Sequence, residues 1–375
     1  MPRYRPLHVH TPLALEHAAQ EDPVAESPAG QSRARAAAPG PAADPSARES
    51  SPRVMAARPA VGPSVAESRA RLGAAGPAAD PAAPAVPITA LDQLWFQVAG
   101  TICNLRCKHC FISCNPHNHA FWFLDRTTVL GALEQSVGLG VKEYYFTGGE
   151  PFMHPLMATL LADTLAVGPA TVLTNGTLLV PRIVRALTAA AESSPYSLEI
   201  RVSLDGVTPE TNDAIRGADT FRRALGGIEQ LVAAGFLPIV TAMQSWPDDE
   251  GDAVLDSFRA ALHAIGYDRP RLRILPTLFK GEEATRTRGY LPEERVTHEM
   301  LHGFDLDRLL CTRARLVTAR GVWACPILLD APVARLGDTL ADAAARPAIL
   351  AEQACYTCWR SGAICSNAAS LRRDA

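Results

Sequence analysis

Cys103, Cys107 and Cys110 form a C-x3-C-x2-C run directly after a short apolar segment. Cysteine thiolates bind zinc ions and iron–sulfur clusters, and a closed site of either kind normally has four protein ligands. Three thiolates on one loop therefore predict a four-iron four-sulfur (4Fe-4S) cluster in which one iron is left open for a small molecule. A further cysteine, Cys114, either completes the cluster as a fourth ligand or packs beside it as a small buried side chain.

A second motif, Gly148-Gly149-Glu150-Pro151, follows a largely apolar run at residues 142–146. Both this run and residues 94–101, which precede the cysteine loop, are typical of buried β-strands. Two glycines directly after a strand let the backbone approach a ligand with no side chain in the way. The two motifs, in this order at the ends of the first two strands, favour a ligand site over a zinc ribbon, which is the alternative.

Together these motifs resemble the radical S-adenosylmethionine (radical SAM) superfamily. In that family the open iron of a 4Fe-4S cluster chelates the amino and carboxylate groups of SAM. The GGEP segment lies along the methionyl amino group, so the resemblance implies cofactor contacts for Gly148, Gly149, Glu150 and Pro151. The residue before the third cysteine is commonly aromatic in the family. Here it is His109, which either packs over the adenine or faces solvent.

The elements that position these motifs begin at about residue 91, where short apolar runs alternate with amphipathic helical patterns. Six such strand–helix units predict parallel strands joined by right-handed crossovers. This is an α/β fold in the form of a partial (β/α)6, TIM-like barrel, which we place at residues 89–300. Ligands of such barrels gather at the carboxyl ends of the strands, where Asn175-Gly176 and Ser203-Leu204-Asp205-Gly206 also fall.

The resemblance also implies roles for four polar residues near these strand ends. Asn175 and Ser203 would hold the methionine and ribose of SAM, with Asp205 nearby and Arg216 close to the SAM carboxylate. The alternative for Asn175-Gly176 and Asp205-Gly206 is that both are simple turns. The alternative for Arg216 is a solvated arginine at the end of a helix.

Five cysteines lie near the carboxyl terminus, and four of them, Cys311, Cys325, Cys355 and Cys358, are enough for one closed site. Their pattern resembles the small cysteine-rich twitch or SPASM extension of radical SAM enzymes, here residues 301–375, which implies one auxiliary 4Fe-4S cluster. A zinc site made by the same four cysteines is the alternative. Cys365 is left over, and it either replaces one ligand, fills the core or donates a hydrogen atom near the substrate.

Composition excludes some partners. The 375 residues are 47% hydrophobic with a net charge of −3, which argues against a nucleic-acid partner. No apolar run reaches the roughly 18 residues of a transmembrane helix, so no membrane partner is expected. All nine cysteines follow residue 100 and no signal peptide is recognisable, which predicts metal binding in a reducing cytoplasm.

Residues 1–88 differ from the rest of the chain, because they contain half of its 30 prolines and few aromatic residues. An Ala/Pro/Arg-rich segment of this kind cannot bury enough apolar surface to offset the entropy lost on ordering, so it is predicted to be disordered. An upstream over-extension of the reading frame, with Met55 as one candidate start, is an equal interpretation.

The resemblance implies an enzyme that takes one electron from an external donor of flavodoxin or ferredoxin type. It would cleave SAM reductively to a 5′-deoxyadenosyl radical, which abstracts hydrogen from a substrate carbon. We expect dehydrogenation or epimerisation of a small polar metabolite of the aminosugar or aminocyclitol type, with Cys114 and Cys365 as candidate hydrogen donors. Modification of a ribosomally made peptide is the alternative reaction, and a non-catalytic iron–sulfur or zinc-binding module is the alternative outside enzymes.

Overall fold

The structure, a computed structural model, describes residues 83–365 of the chain. Residues 1–82 of the segment predicted to be disordered, with the candidate start at Met55, lie outside the described residues. The last six residues of that segment are described, and they correct its boundary. Ala85–Val86 form a strand that pairs with Ala348–Ile349 and buries Val86, so regular structure begins before residue 88.

Strands and helices alternate through most of the described chain. The strands are β1 Ala85–Val86, β2 Gln93–Gln97, β3 Glu143–Thr147, β4 Ala170–Thr174, β5 Leu198–Ser203, β6 Ile239–Met243, β7 Arg271–Leu275, β8 Ala314–Thr318, β9 Gly321–Trp323, β10 Arg335–Gly337 and β11 Ala348–Ile349. The helices are α1 Arg126–Gly138, α2 Met157–Leu165, α3 Pro181–Glu192, α4 Pro209–Arg216, α5 Thr220–Ala233, α6 Gly251–His263, α7 Glu282–Arg286, α8 Leu340–Ala344 and α9 Ala354–Ser361.

One sheet of nine strands has the order β10-β9-β8-β2-β3-β4-β5-β6-β7. Strands β2 to β7 are parallel and follow chain order, which confirms the predicted α/β core of six parallel strands. Parallel neighbours need a crossover between them, and helices supply most of these crossovers. The carboxyl ends of β2 to β5 therefore bring the cysteine loop, the GGEP segment and the two polar turns to one edge of the sheet.

The two faces of this sheet are both covered, which explains why β2 is buried along its whole length. On the inner face, the Trp95 and Tyr145 rings stack with centroids 4.2 Å apart, and the Arg201 guanidinium lies 5.5 Å from the Tyr145 ring centre. On the outer face, the Tyr144 hydroxyl is 2.7 Å from the Ser136 hydroxyl of α1. Alternate residues of the strands thus line an inner, barrel-like lumen.

The sheet continues into the carboxyl-terminal part of the chain. Strand β8 pairs parallel with β2, and β9 and β10 follow as antiparallel neighbours. The same sheet therefore crosses the predicted boundary at residue 300, and the division into a barrel and an extension stays a prediction. Within residues 83–365, every helix is too short or too polar to cross a membrane.

Candidate functional site

The cysteine loop follows β2 and folds back on itself. Its four cysteines pack together with Leu105 and Ile112. Three of these cysteines are buried, and Cys110 is half-buried. The backbone N–H of Cys110 donates to the carbonyl oxygen of Cys107 at 3.3 Å, and that of Cys103 donates to Asn115 at 3.3 Å. The structure thus brings the three predicted cluster ligands together.

Cys114 is hydrogen-bonded to Cys110. Its backbone N–H donates to the Cys110 sulfur at 3.2 Å, and its thiol donates to the same sulfur. These bonds lower the pKa of Cys110 to about 6 and raise the pKa of Cys114. Cys114 thus contacts Cys110, and its role as a fourth ligand or as a packing residue stays a prediction. Its role as a hydrogen donor to substrate stays a prediction.

The other two thiols of the loop are buried in surroundings that favour their neutral form. Burial raises the pKa of Cys103 to about 12. Burial also raises the pKa of Cys107, to about 11, although the nearby Arg216 opposes the rise. Since a thiol must lose its proton to bind iron, loading of this loop releases protons and becomes more favourable as pH rises.

The GGEP segment packs directly on the cysteine loop. A Cβ atom at Gly149 would lie 2.0 Å from the carbonyl oxygen of Ile102, so this close approach requires glycine. The fully buried Glu150 side chain accepts from the Thr174 hydroxyl at 2.7 Å and from the Asn175 backbone N–H at 2.8 Å. Glu150 thus ties the segment to the end of β4 and fixes the glycine backbone beside the loop.

Asn175 lies beside the first cysteine. Its Nδ2 atom is 3.8 Å from the Cys103 sulfur and donates to the Asn104 side-chain oxygen at 2.9 Å. Asn104 in turn donates to the Thr177 hydroxyl at 2.9 Å. Asn175 therefore joins two loops and is more than a turn residue. Sequence reasoning missed Asn104, although a second amide next to a ligand cysteine was a signal that could have found it.

Asp205, His109 and Arg216 form a buried network at the end of β5. One Asp205 oxygen lies 2.5 Å from His109 Nε2 and 2.6 Å from Arg216 Nε, and the other accepts from the Met243 N–H at 2.8 Å. Burial alone would raise the pKa of Asp205, but Arg216 and His109 hold it below its ordinary value. Asp205 is therefore a carboxylate that attaches the cysteine loop to β5 and α4.

This network decides between the alternatives left open for two residues. His109 and Arg216 are 7% and 9% exposed, so the solvent-facing interpretations of both were wrong. His109 Nδ1 is buried and has no hydrogen-bond partner within the described residues. An unpartnered buried nitrogen next to the cysteine loop fits a ligand held there, since buried polar atoms are normally bonded. Cofactor contacts of Asp205 and Arg216 stay predictions.

Two other predicted residues border this region. Ser203 is half-buried at the end of β5. Pro151 is buried and opens a short 3-10 turn. Both lie at the strand ends where the site forms, and their contacts with a cofactor also stay predictions.

Four carboxyl-terminal cysteines line one apolar cavity. Cys311, Cys325, Cys355 and Cys358 are 7–8% exposed, and the rest of the lining consists of hydrophobic side chains such as Leu310. Burial raises the pKa of each of these thiols, to about 12 for Cys325. These are the four cysteines predicted from the sequence to form the auxiliary site, and Cys365 is not among the residues that line the cavity.

Arg315 lies next to this cavity and was missed by sequence reasoning. Its side chain is 0% exposed and donates to the backbone oxygens of Cys311, Ala314, Ala343 and Arg346 at 2.6–3.0 Å. Burial lowers the pKa of Arg315 to about 10, while Cys311 and Cys325 oppose this change. Within residues 83–365 it has no carboxylate partner, so a buried positive charge lies near the Cys311 and Cys325 thiols.

Cys365 lies between the cavity and the lumen. It is half-buried, and its backbone oxygen accepts from Arg201 of β5 at 2.7 Å. Its thiol is close enough to Cys325 and Cys358 for their charges to act on it, although burial is the main reason that its pKa is raised. The structure therefore separates Cys365 from the four-cysteine set, and its role as a hydrogen donor stays a prediction.

Both sets of thiols fit iron–sulfur clusters by their donor chemistry. Within residues 83–365, no three His, Cys, Asp or Glu side chains are arranged to hold a single metal ion. The donors themselves fit a cluster at each site: the loop has three thiols with an unpartnered nitrogen nearby, and the apolar cavity has four thiols beside a buried cation.

Residues 98–257 match the family model described as the radical SAM superfamily. The chain carries a radical SAM domain. Such domains use a 4Fe-4S cluster and SAM, and the cysteine loop and the GGEP segment both lie within the matched residues. This confirms the predicted family and its two cofactors. The auxiliary cysteines lie outside the matched residues.

Several relatives share this radical SAM domain. The mycofactocin maturase MftC of Mycobacterium ulcerans is 30% identical over 167 residues, which are 43% of this chain and 43% of that protein. A probable GTP 3′,8-cyclase of Methanosarcina acetivorans is 29% identical over 168 residues, 42% of this chain and 48% of the relative. An AdoMet-dependent heme synthase of Methanosarcina barkeri is 34% identical over 144 residues, 38% and 39% of the two chains. The match thus spans less than half of each relative.

A solved structure of Streptococcus suis SuiB bound to its precursor peptide SuiA shares the fold. The alignment has a TM-score of 0.50 with 16% identity, and it covers 67% of this chain and 63% of SuiB. At this identity the likeness concerns the fold alone.

Proposed function

We propose that this radical SAM enzyme oxidises its substrate, and that Cys311, Cys325, Cys355 and Cys358 would hold an auxiliary 4Fe-4S cluster, which would supply the acceptor for the electron that the substrate loses. The four-cysteine cavity beside Arg315 is the observation that carries the proposal. A buried cation is costly without a compensating negative charge. A cluster bound by four thiolates supplies that charge, and four cysteines close its coordination.

The residues of the loop site have distinct roles in this proposal. When bound, the first cluster and SAM supply the electron transfer and the 5′-deoxyadenosyl radical that removes a hydrogen atom from a substrate carbon. Cys103, Cys107 and Cys110 hold the cluster, and Asn175 and Glu150 hold the glycine backbone against the loop. The stacked Trp95 and Tyr145 rings close the inner end of the lumen and keep water from the reacting carbon.

Two substrate classes have separate support. The inner face of the barrel carries charged side chains, including Glu199 and Arg201, which supports a small polar metabolite. The 30% identity to a maturase supports a ribosomally made peptide as the second candidate. Epimerisation remains a second candidate reaction, because Cys365 is outside the four-cysteine set and its backbone is bonded to Arg201.

The first experiment is anaerobic reconstitution followed by incubation with SAM and dithionite. We expect 5′-deoxyadenosine and methionine, with about eight irons per chain for two clusters. Cys358→Ala should lose about half of the iron, whereas the matched variant Cys365→Ala should keep all of it. Zinc in the protein with no SAM cleavage would instead identify a binding module.

The second experiment separates the substrate classes. Extract from the source cells is added to the reconstituted enzyme, and 5′-deoxyadenosine formation above the substrate-free rate is measured. Protease treatment of the extract should leave the stimulation intact if the substrate is a metabolite, and should remove it if the substrate is a peptide. Reaction in D2O then tests for epimerisation, which incorporates one deuterium into the product carbon, whereas oxidation does not.

A further inference from the structure

Two arginines lie together on the inner face of the barrel. Arg201 of β5 is 3% exposed, and Arg273 of β7 is half-buried. Ser203, Thr241 and Arg273 are paired across β5, β6 and β7, so their side chains share one face of the sheet. Because strand residues two apart also share a face, Arg201 and Arg273 both point into the lumen.

Two carboxylates lie near Arg201. Glu199 bonds Arg271 at 2.7 Å and lies 3.6 Å from Arg201 Nε. Glu143 accepts from the Gln93 side chain at 2.8 Å, and its charge also acts on Arg201. Arg273 donates to the backbone oxygen of Ile364 at 2.7 Å, and within residues 83–365 no carboxylate pairs with it.

Arg273 is therefore a cation that shares the lumen with Arg201 and has no carboxylate partner within residues 83–365. Burial, and then the charge of Arg201, lower the pKa of Arg273 to about 10. Like charges in a poorly solvated place repel strongly, and an anion between them would relieve that repulsion.

The lumen is open on the side of the pair that faces the cysteine loop. Side chains near the carboxyl ends of the strands, such as Thr147, Leu173 and Met243, are half-buried. Trp95 and Tyr145, by contrast, are at most 1% exposed. A molecule that enters from the cofactor side would therefore reach the guanidinium groups before it meets the packed aromatic rings.

We propose that Arg273 and Arg201 bind an anionic oxygen group of the substrate, a carboxylate or a phosphate, and so fix the substrate in the lumen. The planar fork of a guanidinium matches both groups and can bind them through two parallel hydrogen bonds. Assignment of the bound anion to the substrate rests on the proposed function, whereas the anion site itself depends on the described residues alone.

The test is the thermal unfolding of the reconstituted protein with small anions. Sodium acetate and sodium phosphate serve as probes, acetamide serves as the uncharged mimic of acetate, and sodium chloride keeps ionic strength constant. We expect a saturable rise in the unfolding temperature of about 2–4 °C with one or both anions, and none with acetamide. A response to acetate alone identifies a carboxylate, and a response to phosphate alone identifies a phosphate.

Arg273→Gln should lose this response, because it removes the cation that lacks a carboxylate partner. Arg271→Gln is the matched control and should keep it, since Arg271 is already paired with Glu199. If Arg273→Gln does not fold, Arg273→Lys should fold with its charge retained and give a response about half as large. Equal shifts with acetate, phosphate and acetamide, or a full response in Arg273→Gln, would overturn the proposal.

SAM cleavage by the wild-type protein separates the two proposals. Cleavage without an anion response removes the anion site and leaves the proposed function standing. An anion response without cleavage removes the proposed function and leaves an anion-binding barrel.

Discussion

The two cysteine sites are built in opposite ways. In the loop site, three cysteines lie within eight residues of one loop, and polar side chains such as Asn175 and Asp205 lie around them. In the carboxyl-terminal site, four cysteines come from three separate segments, two of them from helix α9, and line a cavity whose other walls are hydrophobic. The first arrangement suits a cofactor that exchanges, and the second suits a group that remains enclosed.

Their electrostatics differ at one thiol. Burial raises the pKa of all four carboxyl-terminal thiols and of Cys103 and Cys107 in the loop, whereas the hydrogen bonds from Cys114 lower the pKa of Cys110 to about 6. The charged groups beside the two sites also differ. A network that includes the Asp205 carboxylate and Arg216 lies beside the loop, whereas the buried guanidinium of Arg315 lies beside the cavity. We therefore expect changes in the loop to alter chemistry and changes at the cavity to alter stability as well.

The largest expected effect is at the loop. Cys107→Ala leaves two thiolates for a cluster that needs three, so formation of 5′-deoxyadenosine from SAM should fall to the background rate. The measurement is product formation under dithionite, with iron content determined on the same sample. Far-ultraviolet circular dichroism should show unchanged secondary structure, since the loop contributes little to it.

Cys114→Ala is the matched control, four residues beyond the third ligand. It should bind the same amount of iron as the wild type, because we expect Cys114 to pack beside Cys110 without completing the cluster. A loss of the first cluster in Cys114→Ala would show that this residue is a ligand, and the loop would then resemble the closed carboxyl-terminal site.

A smaller effect is expected at Arg315. Arg315→Met removes the donor to four backbone oxygens and the charge beside the cavity, so the free energy of unfolding should fall by about 2–4 kcal/mol. The midpoint potential of the auxiliary cluster should also become more negative, because loss of a positive charge disfavours the added electron. Chemical denaturation and a redox titration followed by electron paramagnetic resonance measure the two effects.

Arg315→Lys separates these effects. It keeps the charge and loses most of the hydrogen bonds, so stability should fall while the potential stays near that of the wild type. An unchanged potential in Arg315→Met would mean that the guanidinium serves the fold alone.

The sequence predicted the features that depend on short spacing. The cysteine loop, the GGEP segment and the six parallel strands each have a local signature, and the structure places them as expected. Helix α4 ends at Arg216, in line with the helix end considered for that residue, although its Thr208 capping box uses a threonine where a glutamate or glutamine is usual.

The features that depend on distant pairing could not be found in this way. Strand β8 joins β2 across more than two hundred residues, and the His109–Asp205 contact spans 96 positions. Arg315 and Arg273 look like ordinary charged residues within strand patterns, and only the packed fold shows that both are cations without a carboxylate partner in the described residues.

The smallest expected effect tests the electrostatic contrast directly in metal-free protein. Iodoacetamide reacts with thiolates, so at pH 7 it should label Cys110 first, because this half-buried thiol has a pKa of about 6. The labelling rate at Cys110 should level off once the pH exceeds the pKa of this thiol. The rate at Cys325, with its pKa raised to about 12, should keep rising roughly tenfold per pH unit up to pH 9.

Peptide mass spectrometry after timed labelling gives both rates from one sample. Cys114→Ala removes the thiol that donates to Cys110, so labelling of Cys110 at pH 7 should slow by roughly tenfold while Cys325 is unaffected. Equal rates and the same pH profile at the two cysteines would mean that the loop thiol is no better prepared for metal than the enclosed ones. The contrast between an exchangeable and an enclosed site would then depend on position in the fold and not on the charge state of the sulfur.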